Sequence, residues 1–404
     1  MLLFYNCFIQ IYRILIFIAA FFNKKAKLWW NGRRNNNLTA IHNSIWFHFA
    51  SLGEFEQGRP VLEKMRELKP NNPIVITFFS PSGYEVRKNT PLADYVYYLP
   101  LDTAKNAREF IEAINPEIAI FTKYEYWYHY FNQLNKRQIP LYVISGIFRH
   151  KQVFFKWYGG LHRKMLTFVT RFFVQDNESS QLLQNIAISN VTVSGDTRFD
   201  RVWANSQSPN KRETVEQFKS KQSVFIGGST WPDDEQLIAQ LVLLYPDWKF
   251  IIAPHEITEE KIAKLLSLLP ADQTIRFSQI KNSNSLISNF KVLVIDNIGM
   301  LSSLYQYGEV AFIGGGFGAG IHNTLEAAAF GLPVIIGPKY HKFREARDII
   351  SAGLGFSINN FEELKPIANK LITDTAFREK TGEGIKAYVR NNTGATEAII
   401  SIIA

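Results

Sequence analysis

A lone carboxylate after a strand, a glycine-lined loop before a helix and a few well-placed cations are the residues of this chain whose types and spacing can do chemistry. Ser51-Leu52-Gly53-Glu54 follows directly on an apolar run at residues 45–50. Gly53 lets the chain turn tightly, which sets Glu54 at a strand's carboxyl end, where a carboxylate can take a proton from an attacking alcohol. A Glu at that point also complements the positive end of the next helix. Both readings stand on pattern alone.

Residues 312–326 read FIGGGFGAGIHNTLE, with Gly314, Gly315, Gly316, Gly318 and Gly320 close together. Bare glycines such as Gly315 and Gly316 let a phosphate approach the backbone, and a helix start offers free N–H donors and a positive dipole. In this expectation His322 hydrogen-bonds the ligand, and Asn323 caps the helix or donates to phosphate. Thr324 and Leu325 lead into the helix, and Glu326, one turn on, accepts from ribose hydroxyls. The bland alternative is a flexible glycine connection.

Three weaker turns point the same way. Gly227-Gly228-Ser229-Thr230 is expected to follow a strand as a second anion cradle, Pro254-His255-Glu256 follows another, and Ile298-Gly299-Met300 opens a helix. In the first half, Lys123-Tyr124-Glu125-Tyr126-Trp127 follows a strand, and Gly195-Asp196-Thr197-Arg198-Phe199-Asp200 closes the region. Arg198 keeps its charge and suits phosphate, or else pairs at the surface with Asp196 or Asp200. The histidines show no HxxxH or HExxH spacing and no Asp-x-Asp occurs, so metal-dependent transfer is disfavoured and no cofactor is expected.

The elements that must position these residues alternate short β-rich runs with amphipathic stretches, the signature of parallel α/β sheets. Strands are expected at 45–50, 74–79, 95–99, 117–121, 141–145, 172–175 and 191–194. The alternation restarts at 224–227, 249–253, 292–295, 310–313 and 334–336. A polar stretch separates the two series. The expected division is an anchor at 1–30, a domain at 31–205, a linker at 206–222 and a domain at 223–404, with ligands in a cleft at the carboxyl ends of the strands.

The 404 residues are 46% hydrophobic and 20% charged, a globular composition, and a single cysteine excludes an internal disulfide. The net charge of +9 is uneven. Residues 1–53 hold Arg13, Lys24, Lys25, Lys27, Arg33 and Arg34 and no acid, which leaves a nearly neutral body. Basicity beside an apolar N-terminus indicates an anionic membrane surface rather than nucleic acid. Residues 1–22 read as an anchor that spans or lies in the interface, with an uncleaved export signal and a docked soluble helix as alternatives. Trp29 and Trp30 supply an aromatic flank.

Taken in order, the Ser-x-Gly-Glu turn, the Arg198-Phe199-Asp200 segment, the Gly-Ser-Thr run and the glycine-rich His-Asn-x-x-Glu loop resemble the 3-deoxy-D-manno-octulosonic acid (Kdo) transferases of lipopolysaccharide synthesis. The resemblance covers nearly the whole chain. It implies a GT-B fold of two Rossmann-like domains, CMP-Kdo as donor and the lipid A precursor (lipid IVA) as acceptor. It also implies inverting, metal-independent transfer on the cytoplasmic side of the inner membrane. By that likeness Glu54 matches the general base, and Ser51, Gly53, Ser229 and Thr230 fall in substrate-binding motifs. Arg198 stands where the family has Lys, in a charge-stabilising role. Pro254 and His255 match a Pro-Arg pair on CMP, and Ile298, Gly299 and Met300 match a Met-Gly-Glu turn. Asn323 to Glu326 match the Asn-x-x-Glu segment. The family's Glu-Thr-Glu-Leu-Trp reads Lys123-Tyr124-Glu125-Tyr126-Trp127 here, so a catalytic carboxylate has become Lys123 and Glu125 is left as its neighbour. The rival readings are a GT-B transferase or sugar 2-epimerase using a uridine nucleotide, and a non-catalytic nucleotide-binding module.

Overall fold

The computed structural model describes residues 1–34, 36, 38–282 and 286–404. They divide into two compact units, Met1–Arg201 with Thr393–Ala404, and Val202–Asn392.

In the first unit seven strands form one sheet: β1 Ser44–Phe49, β2 Ile74–Phe78, β3 Tyr95–Tyr98, β4 Pro116–Thr122, β5 Leu141–Gly146, β6 Arg171–Val174 and β7 Val191–Val193. Their order is β3-β2-β1-β4-β5-β6-β7, and every pairing is parallel. Helices cover both faces, which is why β1 and β2 are buried at every position and read as apolar runs without alternation. On one face Trp46 packs its ring 5.0 Å from Phe121 and 5.3 Å from Phe110. On the other, Phe49, Phe55 and Phe78 cluster with Ile399, Ile400 and Ile403.

Two helices precede the sheet, α1 Leu2–Ala19 and α2 Lys24–Arg34. Among the described residues α1 alone is long and apolar enough to cross a membrane.

The second unit repeats the scheme with β8 Val224–Thr230, β9 Lys249–Pro254, β10 Thr274–Arg276, β11 Val292–Val294, β12 Val310–Ile313, β13 Val334–Ile336 and β14 Gly355–Ser357. The order is β10-β11-β9-β8-β12-β13-β14, again wholly parallel.

Four features differ from the sequence expectation. The two edge strands of the second sheet, β10 and β14, were not anticipated, because each buries a single residue and leaves no apolar run to read. Ser229 and Thr230 are not a loop: β8 runs on through them, with Thr230 opposite Pro254 of β9. The polar stretch 206–222 holds a helix, Glu213–Lys219, anchored by the buried Val215 and Phe218. Its charged residues occupy the exposed side and mask that two-residue apolar anchor. Finally, the last helix, Ala395–Ile403, belongs to the first unit. Asp200 holds its start, accepting from Gly394 N at 2.6 Å, Thr396 N at 2.7 Å and Thr396 Oγ1 at 2.6 Å.

Candidate active site

Each sheet has a point where the connections from two adjacent strands leave in opposite directions, and ligands in such sheets bind beyond the strand ends at that point. In the first unit it lies between β1 and β4. Glu54 follows β1 and Lys123 follows β4.

Glu54 sits in the first turn of α3, Leu52–Leu68, whose N-cap is Ser51 in an extended conformation. The Ser51 hydroxyl donates to the Glu54 carboxylate. The acid therefore stands in the first turn of a helix and is oriented by a hydroxyl, which suits both readings of it. Gly53 has a different role from the one expected. It does not adopt a left-handed conformation, and a Cβ there would meet only Ser51 Oγ at 3.7 Å. The turn is made by the extended Ser51, and Gly53 leaves bare backbone beside Glu54.

Lys123 takes a left-handed backbone, φ +60°, with its N–H donating to Ile144 O at 3.1 Å. Arg198 is paired with Asp196, Nε and Nη2 lying 2.9 and 2.7 Å from Oδ2, while Asp196 Oδ1 accepts from Gln57 Nε2 at 2.8 Å. Burial alone would raise the Asp196 pKa, but Arg198 and then Lys123 outweigh it and hold the carboxyl below its usual range. Arg198 and Lys123 thus share one carboxylate. Tyr124 draws the group together: burial raises its pKa, and it feels the fields of Arg149, Glu54, Arg198 and Asp176. Glu125 points elsewhere. It lies 3.2 Å from Nε2 of the buried His48 and accepts from Trp127 Nε1 at 3.0 Å, with His48 Nδ1 on Thr77 Oγ1 at 2.8 Å. That arrangement fixes Glu125 as an inward acceptor distinct from Glu54.

In the second unit the reversal lies between β8 and β12. Thr230, at the end of β8, is buried and donates to Glu235 at 3.1 Å. The glycine loop leaves β12 and closes on itself: Gly314 N donates to Gly228 O at 2.9 Å and His322 N returns to Gly314 O at 3.0 Å. Gly315 and Gly320 have φ of +91° and +140°, which favours glycine at both. Gly316 lies against Gly337, where a Cβ would meet backbone at 2.6 Å.

The helix after the loop is shorter than expected. It spans Leu325–Ala329, five residues with Thr324 as N-cap, so its dipole is small. Asn323 Oδ1 accepts from Leu325 N at 3.1 Å, and its amide donates to Glu326 at 3.1 Å. Thr324, Leu325 and Met300 are buried, leaving their backbone as the part able to meet a ligand. Ile298 is 88% exposed and Gly299 has φ +89°.

Trp231, His255 and His322 form a stack that sequence reasoning missed. His255, after Pro254, stacks 4.9 Å from Trp231 and 4.4 Å from His322. Trp231 Nε1 donates to His322 Nε2 at 3.0 Å. Burial, with His255 alongside, pushes the His322 pKa down to about 4. At neutral pH its ring is therefore uncharged, with the proton on Nδ1.

Asp234 was also missed, although its place three residues after Trp231 is a capping position. One oxygen accepts from Trp231 N and from Gly315 N, both at 2.9 Å, and the other is buried without a partner. Burial pushes its pKa up to about 6 against those two bonds. A carboxyl raised in the fold contributes stability that is complete below its unfolded pKa and lost as pH climbs through about 6. Asp234→Asn, which keeps the acceptor, should remove up to ~3 kcal/mol of that pH dependence. Urea midpoints of both proteins at pH 4 and pH 7 check it; parallel behaviour of the two would contradict the assignment.

Residues 22–201 match the sequence profile of the 3-deoxy-D-manno-octulosonic-acid transferase (kdotransferase) family. A 3-deoxy-D-manno-octulosonic acid transferase of Haemophilus influenzae is 25% identical across 89% of this chain and 86% of its own. That of Aquifex aeolicus is 25% identical across 82% and 86%. The first unit thus matches the N-terminal domain of the Kdo transferase family, and the chain is similar to Kdo transferases along most of its length. These homologues indicate a glycosyltransferase, and the likeness supports Kdo transfer in lipopolysaccharide synthesis. A bifunctional glycosyltransferase/methyltransferase of Fusobacterium nucleatum is 23% identical across 92% of this chain, which spans 59% of that longer protein.

Solved structures agree on the fold alone. A UDP-GlcNAc 2-epimerase from Neisseria meningitidis superposes with a TM-score of 0.61 at 15% identity, over 89% of this chain and 98% of its own. The glycotransferase of kitacinnamycin gives 0.53 at 12%, over 90% and 98%. The two-sheet α/β architecture is thus GT-B-like, as the Kdo transferase resemblance implied.

Proposed function

We propose that this protein moves Kdo from CMP-Kdo to a sugar hydroxyl of the lipid A precursor, with Glu54 as general base. The observation that carries the reading is Glu54 itself: a carboxylate at the reversal point of the first sheet, oriented by Ser51, whose field reaches Tyr124 together with that of Arg198. Glu54 takes the hydroxyl proton as the oxygen attacks the donor's anomeric carbon. The bond from that carbon to the CMP phosphate oxygen breaks, and configuration inverts. Lys123 and Arg198 supply positive charge for an acidic sugar. The second unit holds the nucleotide, with the Gly315 and Gly316 backbone at its phosphate and Glu326 at its ribose. Neutral His322, with its proton fixed on Nδ1, is a donor suited to the same ligand. The electrostatics of these groups stabilise developing charge without a metal or other cofactor.

We place the enzyme at the cytoplasmic face of the inner membrane, because its acceptor is an acylated lipid and its N-terminus is apolar and basic. A nucleotide screen tests the donor assignment. CMP should raise the melting temperature and UDP should leave it unchanged. Stabilisation by UDP alone would transfer the chain to the uridine-nucleotide enzymes whose fold it shares.

A further inference from the structure

α1 does not stand apart from the first unit. Its stripe of Leu2, Tyr5, Ile9, Tyr12 and Ile16 recurs at helical spacing and turns toward the body, with Ile9 buried and the others half-buried. Tyr5 Oη donates to buried Asp102 at 2.5 Å, and Asn6 Oδ1 lies 2.7 Å from His129 Nε2. The Tyr12 ring sits edge-on to Trp29 at 5.7 Å. A helix held along its length by these contacts lies on the protein and cannot also cross a bilayer while they last. Its outer side, including Phe4, Phe8 and Leu15, is more than half exposed.

Beside α1 is a cavity of about 720 Å³, walled by Arg13 of α1, Trp30, Arg33 and Arg34 of α2, and Lys105 and Glu109 of the Ala104–Ile114 helix. Four cations and one carboxylate line it, and that carboxylate lies 3.9 Å from Lys105. Arg33 is fixed as part of the wall. Its Nε and Nη2 donate to Leu99 O and Phe79 O at 2.8 Å, and its guanidinium lies 3.7 Å over Trp29. Burial pulls its pKa down to about 9, so an anion in the cavity would relieve a poorly compensated charge. Exposed Phe17, one turn on from Arg13, packs its ring 4.8 Å from Trp30 of the cavity wall, so an apolar part of α1 adjoins the cavity.

We propose that α1 lies in the plane of the membrane and that this cavity takes the phosphate head of an anionic membrane lipid, whose chains run along the outer side of α1. The inference rests on α1 contacting the membrane and is independent of Kdo transfer.

Flotation of the full chain with phosphatidylcholine vesicles, doped with either phosphatidic acid or phosphatidylserine at matched surface potential, tests it. The wild type should prefer phosphatidic acid by about tenfold, since its phosphate is unshielded and reaches the cavity. A variant carrying Arg13→Ala, Arg34→Ala and Lys105→Ala should lose that preference. All three side chains are exposed, so the fold should persist, which detergent-based transfer activity reports separately. A charge-matched variant, Lys24→Ala with Lys25→Ala and Lys27→Ala, should bind both vesicles more weakly, about fivefold per lost cation, and keep the preference. Inorganic phosphate should displace no more protein than chloride at equal ionic strength. Absence of preference in the wild type, its persistence in the cavity variant, or displacement by inorganic phosphate overturns the proposal. Loss of Kdo transfer with the lipid preference intact would count against the enzymatic reading alone.

Discussion

Glu54→Gln is expected to slow transfer ~10²–10⁴-fold while leaving nucleotide binding unchanged, the usual cost of removing a positioned general base. The substitution is nearly isosteric. Gln can still receive the Ser51 hydroxyl that orients the wild-type carboxylate, so α3 should start at the same residue. The variant loses the capacity to take a proton and little else. Initial rates, with CMP affinity as the control, separate the cases. A fall in both rate and affinity would mean Glu54 serves the helix start, the other reading its position allows. Near-normal turnover would remove it from the chemistry.

Gly316→Ala is expected to destabilise the second unit by ~3 kcal/mol, at the upper end of overpacking costs. A Cβ at Gly316 would lie 2.6 Å from Gly337 N and Cα, so no side-chain rotation can relieve the contact and two loops must separate. One loop leaves β12 and the other leaves β13, and both stand at the strand ends where the nucleotide is proposed to bind. Melting should fall by roughly 6–12 °C for a unit of this size, and turnover by about 10²-fold as the cradle shifts. Gly318→Ala is the matched control. Its Cβ would meet only Gly315 O at 3.6 Å, so that loop should stay as it is. Equal effects from the two substitutions would show that the contact with Gly337 does not set the cost.

The buried strands were legible because wholly parallel sheets covered on both faces leave uninterrupted apolar runs. β12 and β13 match their expected bounds residue for residue. What the sequence hid were decisions made by distant partners. Thr230 extends β8 because Pro254 of β9 continues opposite it. Asp200, expected as a possible partner of Arg198, instead holds a helix start 194 residues away in sequence. Arg198 pairs with Asp196, the other partner considered. The loop at 314–320 could be recognised from glycine density, yet its anchor Asp234 could not, because Asp234 reaches Gly315 across 81 residues. The Trp231–His255–His322 stack was invisible for the same reason. None of its members has a helical or strand spacing to the others.

The position-specific departures also gain a physical setting. Lys123 replaces an expected carboxylate, and its field joins that of Arg198 on Asp196. His255 replaces an expected Arg, and its ring is stacked between those of Trp231 and His322. Met300 replaces an expected Glu and is buried. All three changes reduce negative charge or exchange a cation for a stack.

The mass of the lipid product after incubation with CMP-Kdo, generated in place by its synthetase, and the lipid A precursor tests the account most directly. The wild-type chain should add one or more octulosonate residues to the lipid and release CMP, and Glu54→Gln should leave the lipid unmodified on the same timescale. A lipid of unchanged mass with the wild type, under conditions where CMP is bound, would contradict the transfer that every proposed role here serves.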